Sequence, residues 1–153
     1  PAQSFSGFLF LLKKMDKRSF KQIFFRFLKG LSAPEQTVSS FWEEKRSFVK
    51  AWYLQQKKED DLIISASPSF LLTPIAAELK VSLLATEVDP YDGTFLGENC
   101  HGKEKVRRFK AAYPSAHVDS FYSDSLSDTP MARLASRAFL VHGDRIEPWP
   151  SSL

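Results

Sequence analysis

The feature that most restricts the fold is an alternation of short apolar runs with helical patterns from residue 62 onward. Residues 62–64 are an apolar run of the kind that forms a buried strand, and residues 118–122 read as another strand. Residues 71–79 and 102–113 instead carry apolar side chains at helical spacing. Strands that alternate with helices predict a largely parallel sheet with helices on its faces. We therefore expect an α/β core.

The remaining elements of this core are assigned from shorter patterns. Residues 81–88 read as a strand, and Asp92-Gly93 indicates a hairpin whose return strand begins at Phe95. A helix is expected at residues 129–137, followed by strands at 138–141 and 145–149.

The first 59 residues differ from the rest in pattern and in charge. They contain 12 Lys/Arg against five Asp/Glu, whereas residues 60–153 contain nine against 13. Helical spacing predicts helices at residues 5–15, from Asp16 or Ser19 to Gly30, and from Pro34 onward. We expect two parts with different roles, a helical part at 1–59 and an α/β part at 60–153.

Composition restricts the kinds of cysteine site and the cellular location that we expect for the protein. Cys100 is the single cysteine, which excludes a disulfide framework and argues against a cysteine-based zinc site. A reducing, cytoplasmic location fits this cysteine content. Apolar runs are all far shorter than the roughly 20 residues of a membrane span.

Two carboxylates follow the strand predicted at 118–122. Asp124 comes directly after it, and Asp128 lies near the start of the next helix. In an open α/β sheet, ligands bind beyond the carboxyl ends of the strands. Two carboxylates placed there can hold a hard cation such as Mg²⁺. The alternative is a turn residue and a helix cap.

Two further positions could bind an anion. Ser65 ends an apolar run, where a hydroxyl and backbone N–H groups can hold a phosphate, although a plain loop is the alternative. Lys103 and Lys105 open a helix, where a cation opposes the helix dipole and therefore suggests an anionic partner. The alternative for both lysines is a solvated basic helix face.

Taken in order, these segments resemble the haloacid dehalogenase (HAD) superfamily, in its phosphoserine-phosphatase-like branch, subfamily IB. Ile64-Ser65-Ala66-Ser67-Pro68 is similar to the second motif, with Ser65 on the phosphate. Lys105, or Lys103 in another register, is similar to the third-motif lysine. Ser123-Asp124-Ser-Leu-Ser-Asp128 resembles the fourth motif, with Ser123 in place of the usual glycine. The resemblance implies a HAD-like Rossmannoid parallel sheet flanked by helices, with an α-helical cap at 1–59.

The family's first motif, Asp-x-Asp-x-Thr, does not occur in the 153 residues. Asp89, Asp92 and Thr94 come closest, but their spacing is wrong. In the family this motif supplies the aspartate that attacks phosphorus. We therefore expect a core at 60–153 that lacks its first strand, about 20–40 residues absent upstream, and an inactive chain when tested alone.

The resemblance implies a Mg²⁺-dependent phosphomonoester hydrolase with an aspartyl-phosphate intermediate. Asp124 and Asp128 would serve Mg²⁺, and Ser65 and Lys105 would hold the phosphate of a small substrate, with phosphoserine as the default. One alternative is a non-catalytic interaction domain. Another is a phosphatase of a membrane lipid phosphate, contacting the membrane through the basic, Phe-rich helix at 17–31. Nucleic-acid binding is not expected, and an oligomer would cover exposed sheet edges.

Overall fold

The computed structural model describes residues 4–5 and 34–152, and strands and helices alternate through the second of these ranges. The strands are β1 (Ser4–Phe5), β2 (Leu62–Pro68), β3 (Ser82–Thr86), β4 (His117–Ser123), β5 (Ala135–His142) and β6 (Arg145–Pro148). The helices are α1 (Pro34–Lys45), α2 (Ala51–Gln56), α3 (Ser69–Leu79), α4 (Lys103–Ala112) and α5 (Thr129–Ala132). Short 3₁₀ turns occupy Arg46–Phe48 and Leu126–Asp128.

The strands pair mainly in parallel, as the alternating pattern predicts. A four-stranded sheet has the strand order β1-β4-β5-β6, and β2 and β3 form a two-stranded sheet. The β1–β4, β4–β5 and β2–β3 ladders are parallel, whereas β5 and β6 form an antiparallel hairpin. Over the described ranges no ladder joins β2 to β4 or to β1. The predicted α/β fold with a parallel sheet is confirmed.

The first three residues of β2 are buried on both faces, and they divide the core into two clusters. Ile63 packs with the apolar side chains of α1, α2 and α3, such as Trp42 and Tyr53. Leu62 and Ile64 point to the opposite face, where they pack with α4, α5 and β4. A strand covered by helices on both faces is expected to be apolar throughout, as residues 62–64 are.

The segment from Pro34 to Tyr53 forms two helices that cover α3. Pro34 begins α1 as predicted, since proline is tolerated in a first helical turn. Val38 and Trp42 are buried, and the indole nitrogen of Trp42 donates a hydrogen bond to the carbonyl of Leu71 at 2.6 Å. Tyr53 on α2 is fully buried.

Two predicted elements differ from the structure. The helix expected at 129–137 ends at Ala132, because Ala135 pairs with Val118 at the start of the β4–β5 ladder and the chain becomes a strand. Phe95 makes only an isolated bridge with Val88 instead of opening a return strand. Hydrogen bonds across the turn, such as Asp89 N to Thr94 O at 2.8 Å, close this loop so tightly that no ladder continues.

The N-terminal predictions are only partly covered. Phe5 lies in β1 and pairs with Val118, so the predicted helix at 5–15 does not include it. The rest of that helix, and the helix predicted to end at Gly30, lie outside the described residues. The division into a cap at 1–59 and a core at 60–153 stays a prediction. Among the helices that the structure describes, none has the length and apolar character needed to cross a membrane.

Candidate active site

Helix α4 brings the ends of β3 and β4 to one edge of the molecule. Arg108 on α4 donates to the carbonyl of Ala85, near the end of β3, at 2.6 Å. Lys105, one turn earlier, contacts Asp128 just beyond the end of β4. The carboxyl ends of parallel strands are where α/β proteins bind their ligands, so this edge is the candidate site.

The centre of the site is a buried ion pair between Lys105 and Asp128. The Nζ of Lys105 lies 2.7 Å from Oδ1 of Asp128, and the two side chains are 7% and 5% exposed. The approach is a close ionic contact and is not aligned as a hydrogen bond. Buried charges are costly unless they are paired, so each of these side chains depends on the other.

A serine holds the other oxygen of Asp128. The hydroxyl of Ser123, the last residue of β4, donates to Oδ2 of Asp128 at 2.7 Å. The same hydroxyl accepts the backbone N–H of Ser125 at 3.1 Å. Both oxygens of the Asp128 carboxylate therefore have a partner from the protein.

Asp124 follows Ser123 in the sequence and is half-buried. Mg²⁺ prefers oxygen ligands, keeps several waters and is commonly held by one or two carboxylates together with substrate phosphate. The carboxylate oxygens of Asp124 and Asp128 are the type of ligand that such an ion takes, and Asp124 is the more exposed of the two residues. In the part of the chain that the structure describes, no group of three His, Cys, Asp or Glu side chains could hold a metal on its own.

Ser65 lies where the backbone of β2 leaves its ladder. The β2–β3 register shifts between Ser65 and Pro68, and the hydroxyl of Ser65 accepts the N–H of Ser67 at 3.0 Å. Ser65 is half-buried. The structure thus puts a hydroxyl and a short irregular stretch of backbone at the end of β2, where the sequence predicts phosphate binding.

The two candidate lysines lie in different environments. Lys103 is the first residue of α4 and is exposed, whereas Lys105 is 6% exposed and paired with Asp128. Of the two, Lys105 is therefore the lysine that the fold brings to Asp128. The catalytic role of either lysine stays a prediction.

Thr86, for which the sequence predicts no role in the site, joins three segments around the site. It is fully buried at the end of β3, and its hydroxyl donates to the carbonyl of Ala66 at 2.9 Å. It lies 3.1 Å from Oδ1 of Asn99 and accepts the N–H of Cys100 at 3.0 Å. Threonine is common in strands because of its strand propensity, so this role becomes evident only in the folded structure.

Charges on the first turns of α4 keep Arg108 in place. Arg107 and Arg108 hydrogen-bond the Glu104 carboxylate and lower its pKa to about 2. Glu104 therefore remains ionised and orients Arg108 toward the carbonyls of Ala85 and Glu98. Burial raises the pKa of Cys100, which makes its thiol a poor nucleophile.

Comparison with known proteins identifies the family of this chain. A family model described as haloacid dehalogenase-like hydrolase matches residues 2–133. The chain belongs to the haloacid dehalogenase-like hydrolases. The superfamily predicted from the three motifs is confirmed, whereas the phosphoserine-phosphatase-like branch stays a prediction.

Two curated relatives match more than half of this haloacid dehalogenase-like chain. A probable phosphatase of Mycobacterium tuberculosis is 33% identical over an aligned length of 107 residues, and the match covers 60% of this chain and 37% of the relative. Protein CicA of Caulobacter vibrioides is 28% identical over an aligned length of 131 residues, and the match covers 72% of this chain and 57% of the relative. The chain thus matches less than two thirds of the length of either relative.

A solved structure shares the fold of this haloacid dehalogenase-like hydrolase. It is the crystal structure of a protein with unknown function from Bordetella pertussis. The two chains have a TM-score of 0.56 and 18% identity, with 90% of this chain and 89% of the other covered. At this identity the likeness supports the fold alone.

Proposed function

We propose that this chain forms the phosphate-binding part of a Mg²⁺-dependent phosphomonoester hydrolase. The observation that carries the proposal is the buried Lys105–Asp128 pair at the edge where β3 and β4 end. An ammonium group fixed at such an edge can neutralise the charge of a bound phosphoryl group. Phosphoryl transfer depends mainly on such positioning and charge stabilisation.

The neighbouring groups have complementary roles in this proposal. Ser65 would donate its hydroxyl to a phosphoryl oxygen, and Asp124 would hold Mg²⁺. When bound, Mg²⁺ would neutralise further phosphoryl charge and orient the phosphate. Asp128, with one oxygen on Lys105 and the other on Ser123, would act through the lysine and through waters of the metal site.

The substrate class rests on the family and its relatives. One relative is a probable phosphatase, which supports phosphate ester hydrolysis in this protein as well. Resemblance of the motifs to the phosphoserine-phosphatase-like branch makes a small phosphorylated metabolite, with phosphoserine as the default, the substrate that we propose.

The covalent step needs an aspartate that these 153 residues do not supply in an Asp-x-Asp-x-Thr motif. We therefore propose that this chain alone binds phosphate and Mg²⁺ but does not turn over phosphomonoesters. The missing motif also favours a second candidate, a non-catalytic phosphate-binding domain. A form of the protein that carries an Asp-x-Asp-x-Thr motif would separate the two, because only an enzyme gains activity when the nucleophile is present.

The test compares phosphate binding with turnover. Isothermal titration of the 153-residue chain with inorganic phosphate and Mg²⁺ should give saturable binding. Lys105→Ala should weaken this binding by at least about tenfold, since a hydrogen bond to a charged group contributes roughly that factor. The matched control is Lys103→Ala, because Lys103 is an exposed lysine on the same helix. This variant should have an unchanged affinity for phosphate.

Turnover is measured separately with p-nitrophenyl phosphate and Mg²⁺. The 153-residue chain should show no activity above background. Phosphate binding that is the same in Lys105→Ala and in the unmodified chain would contradict the proposed site. Full activity in this chain would show that another residue serves as the nucleophile.

A further inference from the structure

The serine that replaces the family's usual glycine contacts the central carboxylate of the site. We propose that Ser123 is a positioning residue, which fixes the Asp128 carboxylate and through it the ammonium group of Lys105. The contact itself is observed, with Ser123 Oγ 2.7 Å from Oδ2 of Asp128. The consequence for phosphate binding rests on the function proposed above.

The direction of this hydrogen bond follows from its neighbours. The backbone N–H of Ser125 can only donate, and the ionised carboxylate of Asp128 can only accept. The hydroxyl of Ser123 lies between them, 3.1 Å from the N–H and 2.7 Å from the carboxylate. Its single proton must therefore point to Asp128. Ser123 is 1% exposed, so bulk water does not compete for this proton.

Asp128 needs a second partner to hold one orientation. The terminal torsion of an aspartate is broad, so a single contact on Oδ1 does not fix the plane of the carboxylate. Lys105 provides that first contact and Ser123 provides the second, on the other oxygen. Without the hydroxyl, Oδ2 would be a buried acceptor that loses a donor, which is costly.

The lysine depends on this orientation more than an arginine would. A lysine is a point charge on a flexible four-carbon stem and has no planar group to set its direction. The ammonium of Lys105 is therefore located by the oxygen that it faces. When the carboxylate of Asp128 rotates, the ammonium follows it or separates from it.

The same strand contains a matched control. Ser120 is also buried, at 3% exposure, and its hydroxyl accepts a hydrogen bond from Arg137 at 3.2 Å. Ser120→Ala thus removes a buried, hydrogen-bonded hydroxyl from β4 without touching Asp128. Both variants lose a buried hydroxyl. A difference between Ser123→Ala and Ser120→Ala therefore measures the effect of the contact between Ser123 and Asp128.

The first experiment measures the position of Lys105 directly, without any ligand. The chain is treated briefly with limiting acetic anhydride, and the acylation of Lys105 relative to exposed Lys103 is read by mass spectrometry. Burial and pairing should protect Lys105 in the unmodified chain. Ser123→Ala should raise the Lys105-to-Lys103 ratio by up to about tenfold, the factor expected for a hydrogen bond to a charged group. Ser120→Ala should leave the ratio unchanged.

Ser123→Gly is measured beside these variants, since the family's fourth motif usually has glycine at this position. It keeps the test informative if Ser123→Ala fails to fold, and its own control is Ser120→Gly. An unchanged ratio in the Ser123 variants would overturn the proposal. A rise of equal size in the Ser120 variants would also overturn it, because the effect would then be general.

The second experiment titrates the same proteins with inorganic phosphate and Mg²⁺. Ser123→Ala should bind phosphate about tenfold more weakly than Ser120→Ala does. Equal affinities in these two variants would overturn the role of Ser123 in the site. If even the unmodified chain binds no phosphate, the proposed function fails, and the acylation ratios alone decide whether Ser123 positions Lys105.

Discussion

At the scale of single residues, Lys105 and Asp128 form a buried ion pair in which each charge needs the other. Both are almost fully buried, and their charged atoms lie 2.7 Å apart. Breaking a buried pair by removing one partner is far more destabilising than replacing both by apolar residues, because the first change leaves a buried charge uncompensated. The stability of the site and its chemistry therefore depend on the same contact.

This contact leads to a prediction about stability. Asp128→Asn keeps the shape of the side chain but removes the charge opposite Lys105, and should lower the free energy of unfolding by about 3–5 kcal/mol. The double variant Lys105→Met, Asp128→Leu should lose clearly less. Urea denaturation of the single and double variants measures both values. A double variant less stable than Asp128→Asn would contradict this view of the pair.

At the scale of secondary-structure elements, α4 is oriented by charges on its own first turns. Glu104 accepts hydrogen bonds from Arg107 and Arg108, and Arg108 in turn reaches the end of β3. Because these arginines lower the pKa of Glu104 from 4.5 to about 2, the carboxylate stabilises the folded state only where it is ionised. Its contribution is complete above pH 4.5 and is lost as the pH falls toward 2.

The corresponding prediction concerns Glu104→Gln and pH. The variant should have a lower melting temperature than the unmodified chain at pH 7. This difference should shrink between pH 4.5 and pH 2, as Glu104 in the unmodified chain takes up its proton. Thermal unfolding at several pH values measures the difference. Glu43→Gln, an exposed position on α1, is the control, and a difference that grows at acidic pH would contradict the prediction.

A second prediction at this scale concerns the link between β2, β3 and the segment before α4. Thr86→Val keeps the shape of the side chain but leaves the carbonyl of Ala66 and the N–H of Cys100 without the hydroxyl. We expect a loss of about 1–3 kcal/mol in the free energy of unfolding, the cost of unsatisfied buried polar groups. Thr73→Val, on the exposed side of α3, should lose much less, and equal losses in the two variants would contradict the link.

At the scale of the whole molecule, Lys50 ties the α1–α2 connection to the β5–β6 turn. It is 8% exposed, and its Nζ lies 2.8 Å from the carbonyl of Gly143 and 3.1 Å from Oδ1 of Asp144. The side chain of Asp144 is 89% exposed, so solvent screens its charge and the carbonyl is the stronger partner. This contact spans 93 residues of sequence and joins the helical segment to the sheet.

Hydrogen exchange tests this tie. Lys50→Met should increase amide exchange in α2 and in the β5–β6 turn, because the carbonyl of Gly143 loses the donor that Lys50 supplies. Asp144→Asn should leave the exchange nearly unchanged, since the ion pair with Asp144 is exposed on one side. Equal effects of the two variants would mean that the exposed carboxylate is the main partner.

The sequence predicts the local elements well and the long-range contacts poorly. The apolar run at 62–64 and the helical spacing at 71–79 correspond to β2 and α3, because a buried strand and a one-sided helix leave clear periodic patterns. The sequence does not predict where α5 ends, since the pairing of Ala135 with Val118 is a tertiary interaction. In the site, the motifs indicate Lys105 and Asp128, but the hydrogen bonds of Ser123 and Thr86 depend on how distant segments meet.

The shared burial of Lys105 and Asp128 also has a consequence for the evolution of the protein. A loss of about 3–5 kcal/mol is a large part of the 5–15 kcal/mol by which a typical domain is stable. A lineage that substitutes one of these positions therefore passes through a poorly folded ancestor unless the other changes soon after. We expect Lys105 and Asp128 to be inherited together or lost together, and Ser123 to vary more freely, since glycine at its position leaves no charge uncompensated.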